Sequence, residues 1–143
     1  TRAGGGTVSR RYLLDTNVLS HLIRDPRGSV AQRLASVDGS QVFTSVVVAS
    51  ELRFGVYKKG SSVLAERVDR LLEHIEVAPL EIGVDRIYAE IRHALESRGR
   101  LIGANELFIA AHALEQDATL VTDNVEEFQR VPGLAVENWV RPT

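Results

Sequence analysis

The sequence predicts an α/β fold with three layers, α/β/α, around a mostly parallel central sheet of about five strands. Three observations predict it. Short β-rich runs alternate with helical stretches along the chain, as in repeated strand–helix–strand units. The 143 residues, 44% hydrophobic and 25% charged, have the length and balance of one ordinary globular domain. Several acids fall directly after strands or near helix starts, at the edge where a parallel sheet collects ligand-binding groups.

Residues 1–10, TRAGGGTVSR, lack apolar periodicity and read as a flexible tail or an expression remnant, leaving 11–143 as the single domain. Arg11–Leu14 predicts a short strand ending at Asp15. Val18–Arg24 predicts a helix stopped near Pro26. Val30–Val37 predicts a second helix, closed by Asp38-Gly39, and the β-branched run Val42–Val46 a second strand. Ala49–Lys59 reads as a helix ending at Gly60. Ser61–Ile75 reads as another, with Ser61 or Ser62 as N-cap and Val63, Leu64, Val68, Leu71, Leu72 and Ile75 as its apolar face. Glu76–Leu80 is a weak third strand. Val84–Glu96 is amphipathic, with apolar residues at 84, 87, 91 and 95. Gly99–Asn105 is a loop, and Glu106–Glu115 a mostly apolar, buried helix. Thr119–Thr122 is a fourth strand, Val125–Arg130 a helical turn and Leu134–Val136 a fifth strand.

Composition excludes several function classes. The chain has no cysteine, so it holds no disulfide, thiolate zinc site or cysteine nucleophile. No run approaches the ~18 apolar residues of a membrane helix, and no signal-peptide pattern is seen, so a cytoplasmic protein is expected. The net charge of −2 argues against gripping nucleic acid with bulk positive charge. A nucleic-acid role needs local basic patches, or cations that reverse the sign of an acidic site.

Such an acidic site is predicted. Asp15 and Asp123 directly follow strands, and Glu51 and Glu106 lie near helix starts. A parallel sheet would gather all four at one edge, where they repel unless a cation lies between them. Carboxylate oxygens suit Mg²⁺ or Mn²⁺, which can activate water and stabilise charge on a phosphoryl group. Each acid also has a plain structural role open to it: Asp15 can cap the following helix, as can Thr16 or Asn17; Glu51 and Glu106 can satisfy helix dipoles; Asp123 sits in a T-D-N turn sequence. Only their joint placement carries the chemical reading.

The segments YLLDTNVLSHLI, TSVVVASELRFG, IGANELFIAAHAL and LVTDNVEEFQRVPGL, in this order, resemble the successive motifs of PIN-domain ribonucleases, and within them the VapC-type toxins of bacterial toxin–antitoxin pairs. The resemblance spans about Tyr12 to Trp139. It implies a PIN-like domain and a metal-dependent endoribonuclease that cuts structured RNA, often tRNA. It also implies a cognate antitoxin that holds the enzyme inactive, and a homodimer or toxin–antitoxin hetero-oligomer. It places the metal-binding and catalytic quartet at Asp15, Glu51, Glu106 and Asp123, with Asn17, Thr122 and Asn124 in support. One position departs from the family pattern. The third acid is most often Asp, whereas Glu106 is one methylene longer and shifts its carboxylate by roughly 1.5 Å, enough to weaken Mg²⁺ binding unless the loop compensates.

Arg98 and Arg100 flank the loop before Glu106 and are candidate RNA phosphate ligands, with solvated surface charge as the alternative. Arg53 can instead pair with a nearby acid. His21, His74, His93 and His112 show no metal-ligand spacing and are expected to be structural or surface residues. The helices around Leu52–Tyr57 and Val63–Ile75 present wide apolar faces, which the resemblance reads also as a groove for antitoxin. An aspartate-nucleophile phosphatase fails because residue 17 is Asn, not a second acid, and no C-terminal strand is followed by Lys. The alternative function is a catalytically weakened PIN-fold binding module acting through antitoxin or RNA contacts, which Glu106 alone favours.

Overall fold

The computed structural model describes residues 10–142. Five strands form one parallel sheet: β1 (Tyr12–Leu14), β2 (Val42–Ser45), β3 (Glu76–Ala78), β4 (Thr119–Val121) and β5 (Val136–Glu137), in the order β3-β2-β1-β4-β5. The helices are α1 (Thr16–Arg24), α2 (Ser29–Ala35), α3 (Val46–Lys59), α4 (Ser62–His74), α5 (Val84–Ser97), α6 (Ala104–Glu115) and the single turn α7 (Val125–Phe128). The chain steps from β1 outward through β2 to β3, then jumps back across to β4 and on to β5. With right-handed crossovers, this puts α1–α4 on one face and α5–α7 on the other. The expected three layers and five strands are the observed ones. The flexible tail expected over 1–10 lies, except for Arg10, outside the described residues.

β1 is central, and β1 and β4 meet where the strand order reverses. Ligands in open α/β sheets bind at such a point, beyond the carboxyl ends of the strands. Burial explains why these strands need so little alternation: every residue of β1, β2 and β4 is buried. Phe43, Leu13, Leu14, Leu120 and Leu107 are among the wholly enclosed side chains of the core. Buried threonine hydroxyls at this edge are paired. Thr44 Oγ1 donates to the Leu14 carbonyl at 2.7 Å, clamping β2 to β1.

The element boundaries differ from expectation where a cap overrides propensity. Helix α3 starts at Val46, not Ala49, so three consecutive valines that look like strand continue the chain as helix. Ser45 makes the switch: its backbone is extended, and its Oγ accepts the Val47 N–H at 3.1 Å. Likewise α1 starts at Thr16, directly after the Asp15 cap, and α6 starts at Ala104, inside the segment expected to be loop. β3 stops at Ala78, before Pro79, which has no N–H to offer a ladder. β5 is Val136–Glu137, two residues later than its apolar run suggests.

Ser45 has a second partner. Its Oγ lies 2.8 Å from Nδ1 of His112, which is wholly buried on α6. The hydroxyl accepts from Val47 and can donate to the imidazole, joining the end of β2, the start of α3 and the last turn of α6. Burial holds the His112 pKa below its usual value, so the ring stays neutral. This is the structural role expected for a histidine outside any ligand spacing. Replacing Ser45 by Ala removes the α3 cap and orphans the imidazole. We expect a loss of about 1–3 kcal/mol, read as a lower urea midpoint with an unchanged denaturant slope.

Candidate active site

The site is built around Asp15, which leaves β1 at the switch point and is 5% exposed. The register β1–β4, with Leu14 opposite Val121, sets Asp15 beside Thr122. The Asp15 N–H donates to the Val121 carbonyl at 2.9 Å, and Thr122 Oγ1 donates to Asp15 Oδ2 at 2.7 Å. Asp15 Oδ1 accepts the Thr16 N–H at 2.8 Å, and Oδ2 also accepts from Asn17 Nδ2 at 3.3 Å. The acid therefore caps α1 and faces the cleft at once, so its structural and chemical roles are compatible. Burial pushes its pKa up, the nearby Glu51 adds to the rise, and the Thr122, Thr16 and Asn17 donors resist it.

Thr122 Oγ1 is used to capacity. It donates to Asp15 and accepts from Asn17 Nδ2 at 3.2 Å and from the Asn124 N–H at 3.0 Å. Asn17 Oδ1 in turn accepts the Asp123 N–H at 2.9 Å. Asn17 and Thr122 thus stitch the ends of β1 and β4 together.

Two further acids enter from helices. Glu51, one turn into α3, accepts from Thr16 Oγ1 in a short hydrogen bond, and its Oε2 accepts from Asn105 Nδ2 at 3.2 Å. Glu106, in the first turn of α6, takes the Gly103 N–H on Oε1 at 2.9 Å and Asn124 Nδ2 on Oε2 at 2.8 Å. A side chain this long bridges the helix start and the turn after β4. Burial first, and the neighbouring Glu127 carboxyl second, push the Glu106 pKa up to about 7 against the Gly103 donor.

An open cleft of about 640 Å³ is lined by Asp15, Asn17, Glu51, Asn105, Glu106 and Asn124, together with Thr16, Gly103, Ala104 and Ile109. The lining holds three acids and no basic side chain. The fourth predicted acid is not among them. Thr122 and Asn124 turn toward Asp15 and Glu106, whereas Asp123, at the bend between them, does not line the cleft. Asp123 Oδ1 instead accepts from Asn138 Nδ2 at 3.0 Å and Arg141 Nε at 2.9 Å. The Arg141 and Asn138 donors hold its carboxyl below the usual range. Four strand-edge acids were expected to converge, and three do; Asn124 stands where Asp123 was expected.

Arg98 and Arg100 do not line the cleft. They are exposed at the turn after α5 and belong to no ion pair among the described residues. Arg53 pairs with Asp69 at 2.6 Å, as its spacing allowed. Thr16, Asn105, Asn138, Arg141 and Glu127 were not singled out as site residues. Glu127 lies four residues past Asp123 in the E-E pair of α7, a spacing that could have flagged it. Asn138 and Arg141 carry no local signal, being brought near by the return of β5.

The donor set fits a hard divalent cation. Every polar side-chain group in the lining is a carboxylate, an amide or a hydroxyl, and three acids stand together without a compensating cation. Among the described residues no three His, Asp or Glu side chains form a ready cage. Asp15, Glu51 and Glu106 are the residues that could hold such an ion.

Residues 12–134 match the PIN domain family. The chain belongs to that family. Ribonuclease VapC2 of Rickettsia felis is 36% identical over 130 residues, 90% of this chain and 97% of that protein. The tRNA(fMet)-specific endonuclease VapC of Shigella flexneri is 31% identical over 133 residues, covering 90% and 98%. The crystal structure of VapBC2 from Rickettsia felis, bound to a promoter DNA fragment, superposes with a TM-score of 0.82 at 34% identity, over 90% of this chain and 98% of that one. This PIN domain thus falls with the VapC proteins over nearly its whole length. No helix among the described residues is long and apolar enough to cross a membrane.

The raised Glu106 pKa has a stability consequence. A carboxyl whose folded pKa exceeds its unfolded value stabilises the fold when protonated, and loses that contribution as pH rises through the folded value. In EDTA, the melting temperature of the parent should therefore fall between about pH 5 and pH 8. Glu106→Gln should flatten that fall, as differential scanning fluorimetry across the range will show.

Proposed function

We propose that this PIN domain is a metal-dependent endoribonuclease toxin that cuts RNA phosphodiester bonds and is neutralised by a cognate antitoxin. The observation that carries the reading is the gathering of Asp15, Glu51 and Glu106 in one cleft with no cation among the lining side chains. The VapC names of the relatives, one of them a tRNA-specific endonuclease, favour tRNA as the RNA class and the cytoplasm as the place of action. Neighbouring VapBC complexes favour an antitoxin partner and a toxin–antitoxin hetero-oligomer, or a homodimer. Exposed Phe54 and Tyr57 on α3 and Val63 on α4 are apolar surface for such a partner.

In this reading Asp15, Glu51 and Glu106 hold Mg²⁺ or Mn²⁺, and Asn124 supports Glu106. The bound ion would supply a water of lowered pKa and charge stabilisation on the phosphoryl oxygens. Asp15 is the fixed point, because Thr122, Thr16 and Asn17 leave its carboxylate one orientation. Glu51 is oriented by Thr16 and Asn105, and Glu106 by Gly103 and Asn124, each through both carboxylate oxygens. With such a water as the attacking group, no side-chain nucleophile is required.

Cleavage of a total tRNA pool tests the reading. We expect cutting in Mg²⁺ or Mn²⁺ and none in EDTA. Asp15→Asn and Glu51→Gln should each lower the rate at least about a hundredfold with a melting temperature close to the parent's. Glu106→Asp should cut at least as fast as the parent if the longer side chain detunes the site. Unchanged cleavage by Asp15→Asn would overturn the assignment, and a chain that binds RNA without metal-dependent cutting would be the binding module instead.

A further inference from the structure

We propose that Arg141, held on the side chain of Asp123, is a binding residue for the phosphodiester backbone of RNA in the groove beside the acidic cleft. The inference rests on the ribonuclease reading above.

The cleft is acidic throughout its lining, yet a polyanion must lie across it, so its flanking phosphates need a cation nearby. The two arginines expected to serve, Arg98 and Arg100, do not line the cleft. Arg141 does not line the cleft either; it lines the next groove, which begins at Val125, one residue after the cleft-lining Asn124. Thr122 and Asn124 face the acids while Asp123, between them, faces outward and takes the Arg141 Nε at 2.9 Å. Asn138 completes the mount. Its Nδ2 donates to the same Asp123 oxygen at 3.0 Å, and its Oδ1 accepts the N–H groups of Val140 and Arg141 at 2.9 and 3.0 Å. The backbone and the Nε of Arg141 are thereby fixed.

The business end remains open. The Arg141 side chain is 76% exposed, and neither terminal nitrogen makes a hydrogen bond or ion pair among the described residues. A guanidinium has five N–H donors in a planar fork; one is spent on Asp123, and the remaining four include the pair that matches two phosphate oxygens. The adjoining groove, about 850 Å³, also presents Gln32, Arg33, Gln129 and Asn138. Arg33 is committed elsewhere, to Glu137 at 3.4 Å and over the Trp139 ring at 5.2 Å. Arg141 is the more exposed of the groove's two cations, 76% against 45% for Arg33. An acidic peptide could also meet it, but its anchor Asp123, next to the cleft-lining Asn124, favours the nucleic acid strand that must pass through that cleft.

The test is binding of a labelled total tRNA pool in EDTA, where nothing is cut, across a salt series. Arg141→Gln should weaken binding about fivefold to tenfold and lower the slope of log affinity against log salt by about one. Arg141→Lys should keep the slope and recover part of the affinity. Arg98→Gln should match the parent, and the Mn²⁺ affinity and melting temperature of Arg141→Gln should be the parent's. Equal affinity and slope for Arg141→Gln and parent would overturn the inference alone. So would a loss confined to antitoxin binding. A parent that neither binds nor cuts tRNA would overturn both this inference and the ribonuclease reading.

Discussion

Asp15 carries its charge into a position that is almost closed to water, at the junction of the two central strands, and the surrounding structure is arranged to tolerate it. An isolated carboxylate there would be costly. Thr16 and Asn17, the next two residues of the chain, and Thr122, which the β1–β4 register brings alongside, supply its hydrogen bonds. Shift β4 by one residue and Thr122 would face away from Asp15, because side chains alternate along a strand. The short strands can hold that register because they are buried on both faces and clamped from β2 by Thr44.

From this fixed point the site gains its sign. Two helices deliver the other acids, Glu51 from the second turn of α3 and Glu106 from the first turn of α6, where a negative side chain also suits the helix dipole. Capping and chemistry therefore act together. The same Glu106 oxygen that accepts the Gly103 N–H sets the side chain over the cleft, while Asn124 holds the other oxygen. The added methylene of Glu relative to Asp is used to reach between α6 and the turn after β4. Burial first, with the neighbouring carboxyls adding to it, pushes Asp15 and Glu106 upward, and a hard cation would oppose both effects.

Asp123 shows how a residue's neighbours decide its role. Its sequence context, directly after a buried strand, is the same as that of Asp15. Asp15 faces the cleft because Thr122 meets it across the sheet. Asp123 lies one residue beyond Thr122, at a bend outside the cleft lining, where the chain returning from β5 supplies Asn138 and Arg141. Strand-end position predicts proximity to the sheet edge, but what meets the residue there decides which groove it serves.

Much of this protein could be read from the sequence. The alternation of elements set the α/β class, and the buried apolar runs set the strands. The spacing of acids after strands pointed to one edge, and Asp15, Glu51 and Glu106 meet there. What failed was local in origin. The valines after Ser45 have strand propensity, and only the Ser45 cap and its packing against His112 turn them into helix. The fourth acid, Asn124 in its stead, and the Arg141 mount depend on side-chain direction and on contacts across as many as eighteen residues of chain. Composition and periodicity are properties of neighbours in sequence, so they determined the elements and their order. The direction of each side chain at the sheet edge is a property of register and of what packs across it, and only the tertiary structure decided that.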